Sequence, residues 1–474
     1  MSGVAEVIFV VLLGYFLVLN GLYFAITVGA FVTLRRQRAL QYVELGRLAR
    51  SATTLPVSVL VPAYNEETVL GQAIRSILAS DYPELELIVV NDGSTDGTLV
   101  SATREFDLVA CDVFHPAPIA TQPIHTTYRS RRHPNLWLID KENGGAADAL
   151  NAGLNLARYP CVIHIDADCV VEPDSLMRLM RPINFAPGEL VVAGAHLRLA
   201  NGLHVDGGQI VGGSLPERLV ERFQLIEYLS AFVLNRLGWA GLNSIPVISG
   251  GCGAWPKRLL LELGGFSTAV THYDIEATIH AHAALRSSGT PYRIVSVPDA
   301  VVYTQVPTTW RDLLSQRKRW QRVAYEMLRE YRRLILNPRY GYFGLIGMPY
   351  LLLFEGIGPF VEVFSFAFVI VLAVAGELSV GSLALYLVFS YGLIALIRIV
   401  SLFADVLYFR AYPKRSIATL TLLALAEPIF HVAQLPHRML GFIEFLRGRR
   451  THEPMTREPF TQRSPTPSAA TTGP

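Results

Sequence analysis

Two aspartates one residue apart, Asp166 and Asp168, follow the apolar run Cys161-Val-Ile-His-Ile165. A run this short, flanked by turn signals, reads as a parallel strand buried on both faces, with the carboxylates at its C-terminal end. Ligands of open α/β sheets sit at that edge. Two carboxylates there repel each other unless something positive lies beside them, and a divalent cation carrying a diphosphate would supply it. Taken alone, Asp-x-Asp is more often a pair of solvated loop acids.

Neighbouring strand ends narrow the choice. Pro62-Ala63-Tyr64-Asn65-Glu66 follows the apolar strand from Val57, and Asn91-Asp92-Gly93 follows the strand from Leu85. Tyr64 offers a ring face, while Glu66 and Asp92 can accept imide and hydroxyl hydrogens, the set a uridine nucleoside needs. Either loop alone is ordinary turn chemistry, a helix cap and an Asp-Gly turn. Three such loops at one sheet edge favour a nucleotide pocket. Gly250 and Gly251, in the glycine-rich stretch Ile248–Trp255, fit either a close backbone approach to a ligand or a plain turn.

The elements that must position these residues alternate strand and helix from Pro56 onward, implying an α/β fold with a mainly parallel, Rossmann-like sheet. Residues 111–135, with four prolines, read as a surface insertion. The chain has 474 residues, 51% hydrophobic and only 17% charged, which points to a protein partly embedded in lipid. A formal net charge of +2 gives no reason to expect a nucleic-acid partner. Four cysteines without Cys-x-x-Cys spacing read as reduced thiols.

Val7–Val32 is long and apolar enough to span a bilayer, and the arginines after it (Arg35, Arg36, Arg38, Arg47, Arg50) place the downstream side in the cytosol. The division expected is an N-terminal transmembrane helix (1–33), a basic linker (34–55), the α/β domain (56–310), a basic amphipathic interfacial helix (311–341), a membrane region (342–440) and a basic, then disordered, tail (441–474). Within the membrane region, spans are expected near 358–375 and 383–407. The stretch 417–440, interrupted by Pro428 and Pro436, is expected to return without crossing, its sidedness read from Arg410, Lys414, Arg415, Arg447, Arg449 and Arg450. Arg398 and Asp405 lie inside an apolar span, as snorkelled ends or as lining of a polar path.

Four motifs in this order, Val-Pro-Ala-Tyr-Asn-Glu, Val-Asn-Asp-Gly-Ser-Thr-Asp-Gly-Thr, Lys-Glu-Asn-Gly-Gly-x-Ala-Asp-Ala-Leu-Asn and Ile-Asp-Ala-Asp, resemble the inverting family 2 glycosyltransferases. More narrowly, the chain is similar to the membrane-embedded synthases of poly-N-acetylglucosamine, hyaluronan, chitin and cellulose, from about Val57 to beyond Tyr340. The resemblance implies a GT-A fold, a UDP-sugar donor, and Mg²⁺ or Mn²⁺ held by Asp166 and Asp168. It implies that Tyr64, Glu66, Asp92 and Asp166 bind the nucleotide and that Gly250 and Gly251 border the acceptor. Asp274 matches the aspartate that serves as general base, needed on the face opposite the leaving diphosphate; on its own it reads equally as an acid at a helix start.

Gln316, Arg319 and Trp320 match a Gln-x-x-Arg-Trp signature, with Arg319 suited to phosphate and Trp320 to stacking on a sugar. The partners implied are the donor, a saccharide acceptor and the bilayer of the cell membrane, crossed several times with the catalytic domain cytosolic, and room for a small accessory membrane subunit. Tyr273, Ala146 and His280 depart from the family pattern, where glutamate, lysine and arginine are usual, and so bear on the acceptor. Two rivals are a non-processive enzyme acting on a lipid or polyprenyl phosphate, and a catalytically silent sugar-nucleotide-binding subunit. The helix around Gln224–Phe232 carries no assigned role.

Overall fold

The computed structural model describes residues 3–41, 45–113, 117–408, 416–448 and 458–460. Strands β1 (Val57–Ala63), β2 (Leu85–Asp92), β3 (Leu108–Cys111), β4 (Ile124–Ser130), β5 (Leu136–Lys141), β6 (Cys161–Ile165), β7 (Cys169–Val171), β8 (Leu190–Leu199), β9 (Leu203–Asp206), β10 (Gln209–Gly213), β11 (Cys252–Pro256) and β12 (Tyr292–Thr304) follow in chain order. Ten of them form one sheet in the order β3-β4-β5-β2-β1-β6-β11-β8-β12-β7, and β9 pairs with β10 in a separate hairpin. β1 runs parallel to β2 and β6, and β2 parallel to β5. β11 is antiparallel to both β6 and β8.

The central strands are apolar on both faces because helices cover both. Val59, Val61, Val89 and Ile163 pack with the Leu70–Leu78 helix, while Leu60, Ile88, Val90 and Val162 pack with the Ala146–Leu156 helix. This double burial turns every loop at the C-terminal ends of β1, β2 and β6 toward one edge. Residues 111–135 do more than bulge from the surface. Ile124–Ser130 pairs antiparallel with both β3 and β5 and extends the sheet. The β-branched run Ile-His-Thr-Thr-Tyr outweighs the prolines on either side.

Among the described residues, three helices are long and apolar enough to cross a membrane: Gly3–Arg36, Val380–Tyr408 and Ile417–Leu446. Phe343–Gly356 and Gly358–Val374 form a further pair bent by 44°. The stretch expected to turn back at its prolines is instead a single helix of 30 residues that contains Pro428 and Pro436. A neighbouring helix can satisfy the backbone groups that a proline frees, so proline need not end such a helix. Arg410, Lys414, Arg415, Arg449 and Arg450, and the tail from Thr451 apart from 458–460, lie outside the described residues.

Apolar helices and sheet are joined by charge. Arg198 on β8 pairs with Asp405 at 2.7 Å, both nearly excluded from solvent. Arg398 pairs with Glu427 of the Ile417–Leu446 helix at 3.2 Å. Leu219–Leu229, a π-helical segment Ser230–Asn235 and Arg236–Gly241 form one continuous helical rod. It packs so closely on the N-terminal helix that a Cβ at Gly238 would lie 2.2 Å from the Ile26 carbonyl oxygen.

Candidate active site

The loops after β1 and β2 are sewn together. Asn65 adopts a left-handed φ of 58°, a conformation its short polar side chain tolerates. Its amide donates to Ser94 Oγ (3.0 Å), and its Oδ1 accepts from the Thr95 amide (2.8 Å). The Glu66 amide donates to Thr98 Oγ1 at 2.9 Å. The ring of Tyr64 stands 42% exposed above this platform, as a stacking surface would.

Asp92 has a different situation. It is buried, and Lys141 Nζ (2.7 Å) and the Gly144 amide (3.0 Å) donate to its Oδ1 while the Gly145 amide (2.7 Å) donates to Oδ2. Lys141, itself fully buried, also pairs with Asp148 at 2.6 Å. Asp92 therefore organises the glycine turn at 144–145. Lys141 had no role from sequence, although it opens the Lys-Glu-Asn-Gly-Gly motif.

A second group gathers at β6 and β11. Tyr273 Oη donates to Asp166 Oδ1 at 3.4 Å. The Gly250 amide donates to Asp274 Oδ2 at 3.1 Å. A Cβ at Gly250 would lie 2.9 Å from Tyr273 Oη and 3.5 Å from Asp166 Oδ2. The absent side chain thus lets Asp166, Gly250, Tyr273 and Asp274 meet. Gly251 faces away from them, since a Cβ there would strike Leu197 Cδ1 at 2.6 Å.

Asp168 is buried beside Thr304, whose Oγ1 donates to its Oδ2 at 3.4 Å. Burial, reinforced by Asp166 and Asp274, pushes the Tyr273 phenol well above its usual value. It stays neutral and donates. Burial together with Asp168 and Asp166 likewise raises the Cys169 thiol, keeping a soft thiolate away from the carboxylates.

The Trp310–Glu330 helix carries the Gln-x-x-Arg-Trp residues. Trp320 is 40% exposed with the Arg317 guanidinium 4.4 Å from its ring. Gln316 Oε1 is buried with no hydrogen-bond partner among the described residues. Headgroup-level arginines would be exposed, yet Arg317 and Arg322 are buried at 8% and 1%. Arg317 pairs with Glu227 and donates to Gln434 Oε1 at 2.8 Å. Arg438 donates to Gln321 Oε1 at 2.8 Å. The basic face of this helix is thus fastened to the polar stripe of Ile417–Leu446.

Two residues of the 219–241 rod reach the same centre, and sequence reading passed over both. Burial pushes the Tyr228 phenol up to about 12, with Asp168 and Glu227 adding to the rise and Arg317 opposing it. Burial pulls the Arg236 guanidinium down, while Asp274 and Tyr228 pull it back up; it remains a cation at neutral pH. Arg236 stacks over Phe232 at 4.0 Å, and its Nη1 has no hydrogen-bond partner among the described residues. The π-helical segment between them is the one signal in this rod, visible only once folded.

Among the described residues no cluster of three or more His, Cys, Asp or Glu could hold a metal. Mg²⁺ and Mn²⁺ do not require one, because such ions take one or two carboxylates with the remaining oxygens from a phosphate ligand and water. Asp166 and Asp168 are hard oxygen donors of the kind such an ion takes, and Arg236 Nη1, without a hydrogen-bond partner among the described residues, is a positive group suited to an anion.

The chain resembles known proteins along most of its length. It is 26% identical over 273 residues to a poly-beta-1,6-N-acetyl-D-glucosamine synthase of Staphylococcus epidermidis, covering 57% of this chain and 55% of that one. It is 25% identical over 303 residues to the protein of that name from Staphylococcus aureus, covering 64% and 61%. The match thus spans a little over half the length of these relatives. A mannosyltransferase from Pyrobaculum calidifontis, solved with GDP-Man and Mn²⁺, superposes with a TM-score of 0.55 at 19% identity, covering 93% of this chain and 100% of that one. That likeness bears on the fold alone, a GT-A arrangement. The glycosyl transferase family 2 model matches residues 58–109, and the glycosyl transferase family group 2 model matches 161–426, more than half of the chain. The chain belongs to glycosyl transferase family group 2.

Proposed function

We propose that this protein is a membrane-bound inverting glycosyltransferase. It moves a sugar from a UDP-sugar, UDP-N-acetylglucosamine in the first instance, to a hydroxyl of a growing β-linked polysaccharide. The observation that carries this reading is the meeting of Asp166, Gly250, Tyr273 and Asp274 at the sheet edge. It draws support from the synthase relatives and from the Mn²⁺ in the mannosyltransferase of like fold.

Tyr64 stacks on the base, and Glu66 and Asp92 complete the nucleotide pocket, Asp92 through the Gly144–Gly145 turn that it holds. Asp166 and Asp168 would hold Mg²⁺ or Mn²⁺, which when bound neutralises the diphosphate as a leaving group. Asp274, its carboxylate oriented by the Gly250 amide, takes the proton of the acceptor hydroxyl. One base suffices for direct displacement with inversion. Tyr273 stays protonated and orients Asp166 without adding a third negative charge where the family carries glutamate. Gln316, Arg319 and Trp320 bind the acceptor end and the phosphates, with Gly250 and Gly251 shaping the acceptor border.

The protein sits in the cell membrane as a multi-pass chain with its catalytic domain in the cytosol, and spans beside the site serve product export. A small accessory membrane subunit can complete the assembly. A UDP-release screen over a panel of UDP-sugars with Mg²⁺ and with Mn²⁺, followed by product sizing, tests the reading. It expects release with one donor and a ladder of products. Addition of a single sugar would favour a lipid-phosphate acceptor, and the absence of release with every donor would discard the transferase assignment.

A further inference from the structure

Residues 458–460 lie far beyond the last helix in sequence but rest on the catalytic domain. Phe460 is only 7% exposed and packs in a cluster with Val69, Val170, Ala200 and Val205. Arg218 Nη1 donates to Glu458 Oε1 at 2.8 Å. Gln305 Nε2 donates to the Glu458 carbonyl, and the Glu458 amide donates back to Gln305 Oε1 at 3.3 Å. That reciprocal exchange between a side-chain amide and a main chain fixes direction as well as position, as strand addition does.

The seat adjoins the candidate active site on three sides. Val69 opens the helix that follows Tyr64–Glu66, and Val170 lies two residues beyond Asp168 on β7. Gln305 follows Thr304, which donates to Asp168, and starts the segment leading to the Thr309 cap of the helix bearing Gln316, Arg319 and Trp320. Asn201 holds this segment from the other side, its Oδ1 accepting from the Val306 amide at 2.9 Å. A peptide gripping Gln305 therefore holds the segment that joins β12, in contact with Asp168 through Thr304, to the Gln-x-x-Arg-Trp helix.

We propose that the surface formed by Val69, Val170, Ala200, Val205, Arg218 and Gln305 is a docking site for the chain's own Glu458-Pro459-Phe460, which latches the 305–309 segment in cis. Phe460 supplies most of the grip. The Arg218–Glu458 pair is half-exposed on both sides and sets register more than strength. Pro459 pre-sets the backbone between the two anchors and lowers the ordering cost.

The test uses the full-length chain in lipid nanodiscs and trypsin, reading cleavage of the Arg457–Glu458 bond by mass spectrometry. A docked segment is cut only when it opens. Phe460→Ala should raise the cleavage rate about tenfold or more, and Phe460→Leu should retain most of the protection. Glu458→Arg and Arg218→Glu should each speed cleavage, and their combination should restore protection. Equal rates in the wild type and Phe460→Ala would overturn the docking, and no restoration by the charge exchange would overturn the register assigned to Arg218 and Glu458.

The coupling to the site rests on the proposed function and has its own readout. Phe460→Ala should raise the UDP-sugar concentration for half-maximal UDP release at least threefold. Fast cleavage with an unchanged donor requirement would overturn the coupling. A chain that releases no UDP at all would fail the transferase reading, while cleavage still decides the docking.

Discussion

Tyr273 stands where a third acid was expected beside Asp166 and Asp274, and its physical effect is to keep a hydrogen-bond donor while removing a charge. Sequence marked it as a departure from the family; only the fold shows it donating to Asp166. Lys141 is the converse case, present in a quoted motif yet without a role until seen buried between Asp92 and Asp148. Its removal leaves two carboxylates without their cation. Lys141→Met should therefore destabilise the domain by about 3–5 kcal/mol, read as a lowered thermal midpoint in detergent.

Buried histidines give a pH signature. His282 bonds the Tyr292 hydroxyl at 2.6 Å and the Ile245 carbonyl at 3.1 Å, and burial lowers it from 6.5 to about 3. Because the folded value lies below the unfolded one, the unfolded chain takes the proton first as pH falls through 6.5. Its contribution is whole above that pH and is lost below it, at about 1.4 kcal/mol per pH unit. Chemical denaturation at pH 7.5 and 5.5 should show lower stability at 5.5, with the slope reduced in His282→Gln.

At the scale of elements, periodicity and punctuation located the strands β1, β2 and β6 and hence the sheet edge at which the loops bearing Tyr64, Asp92, Asp166 and Asp168 begin. They failed where tertiary context overrides local signals. Pro428 and Pro436 read as breaks but lie inside one helix. The arginines at 317 and 322 read as headgroup ligands but face a second helix whose polar stripe, Gln434, Arg438 and Glu444, carries no distinctive pattern alone. Arg398 and Asp405 were seen as anomalous without their partners Glu427 and Arg198, which lie far away in sequence. The Arg198–Asp405 pair ties strand β8 to an apolar helix. Asp405→Leu alone should cost about 3–5 kcal/mol, and adding Arg198→Met should recover most of it. Thermal melting of the four-member cycle checks this; an additive double variant would mean that the pair does not couple sheet and helix.

In the whole molecule, an α/β sheet with acids at one edge is joined to helices long and apolar enough to cross a membrane. The rod 219–241 links them, packed on the N-terminal helix at Gly238 and delivering Tyr228 and Arg236 to the acids. Neither residue was legible in sequence, because a tyrosine and an arginine on a helix look like any other amphipathic pattern until the charges around them are placed by the fold.

Whether Asp274 is the base of a UDP-sugar-dependent transfer is decided by one paired measurement on Asp274→Asn. UDP binding by calorimetry in Mn²⁺ and UDP release from UDP-N-acetylglucosamine are compared with the wild type. The account predicts wild-type UDP affinity with release lowered by about 10²–10⁴-fold. Release within a few-fold of wild type would contradict it.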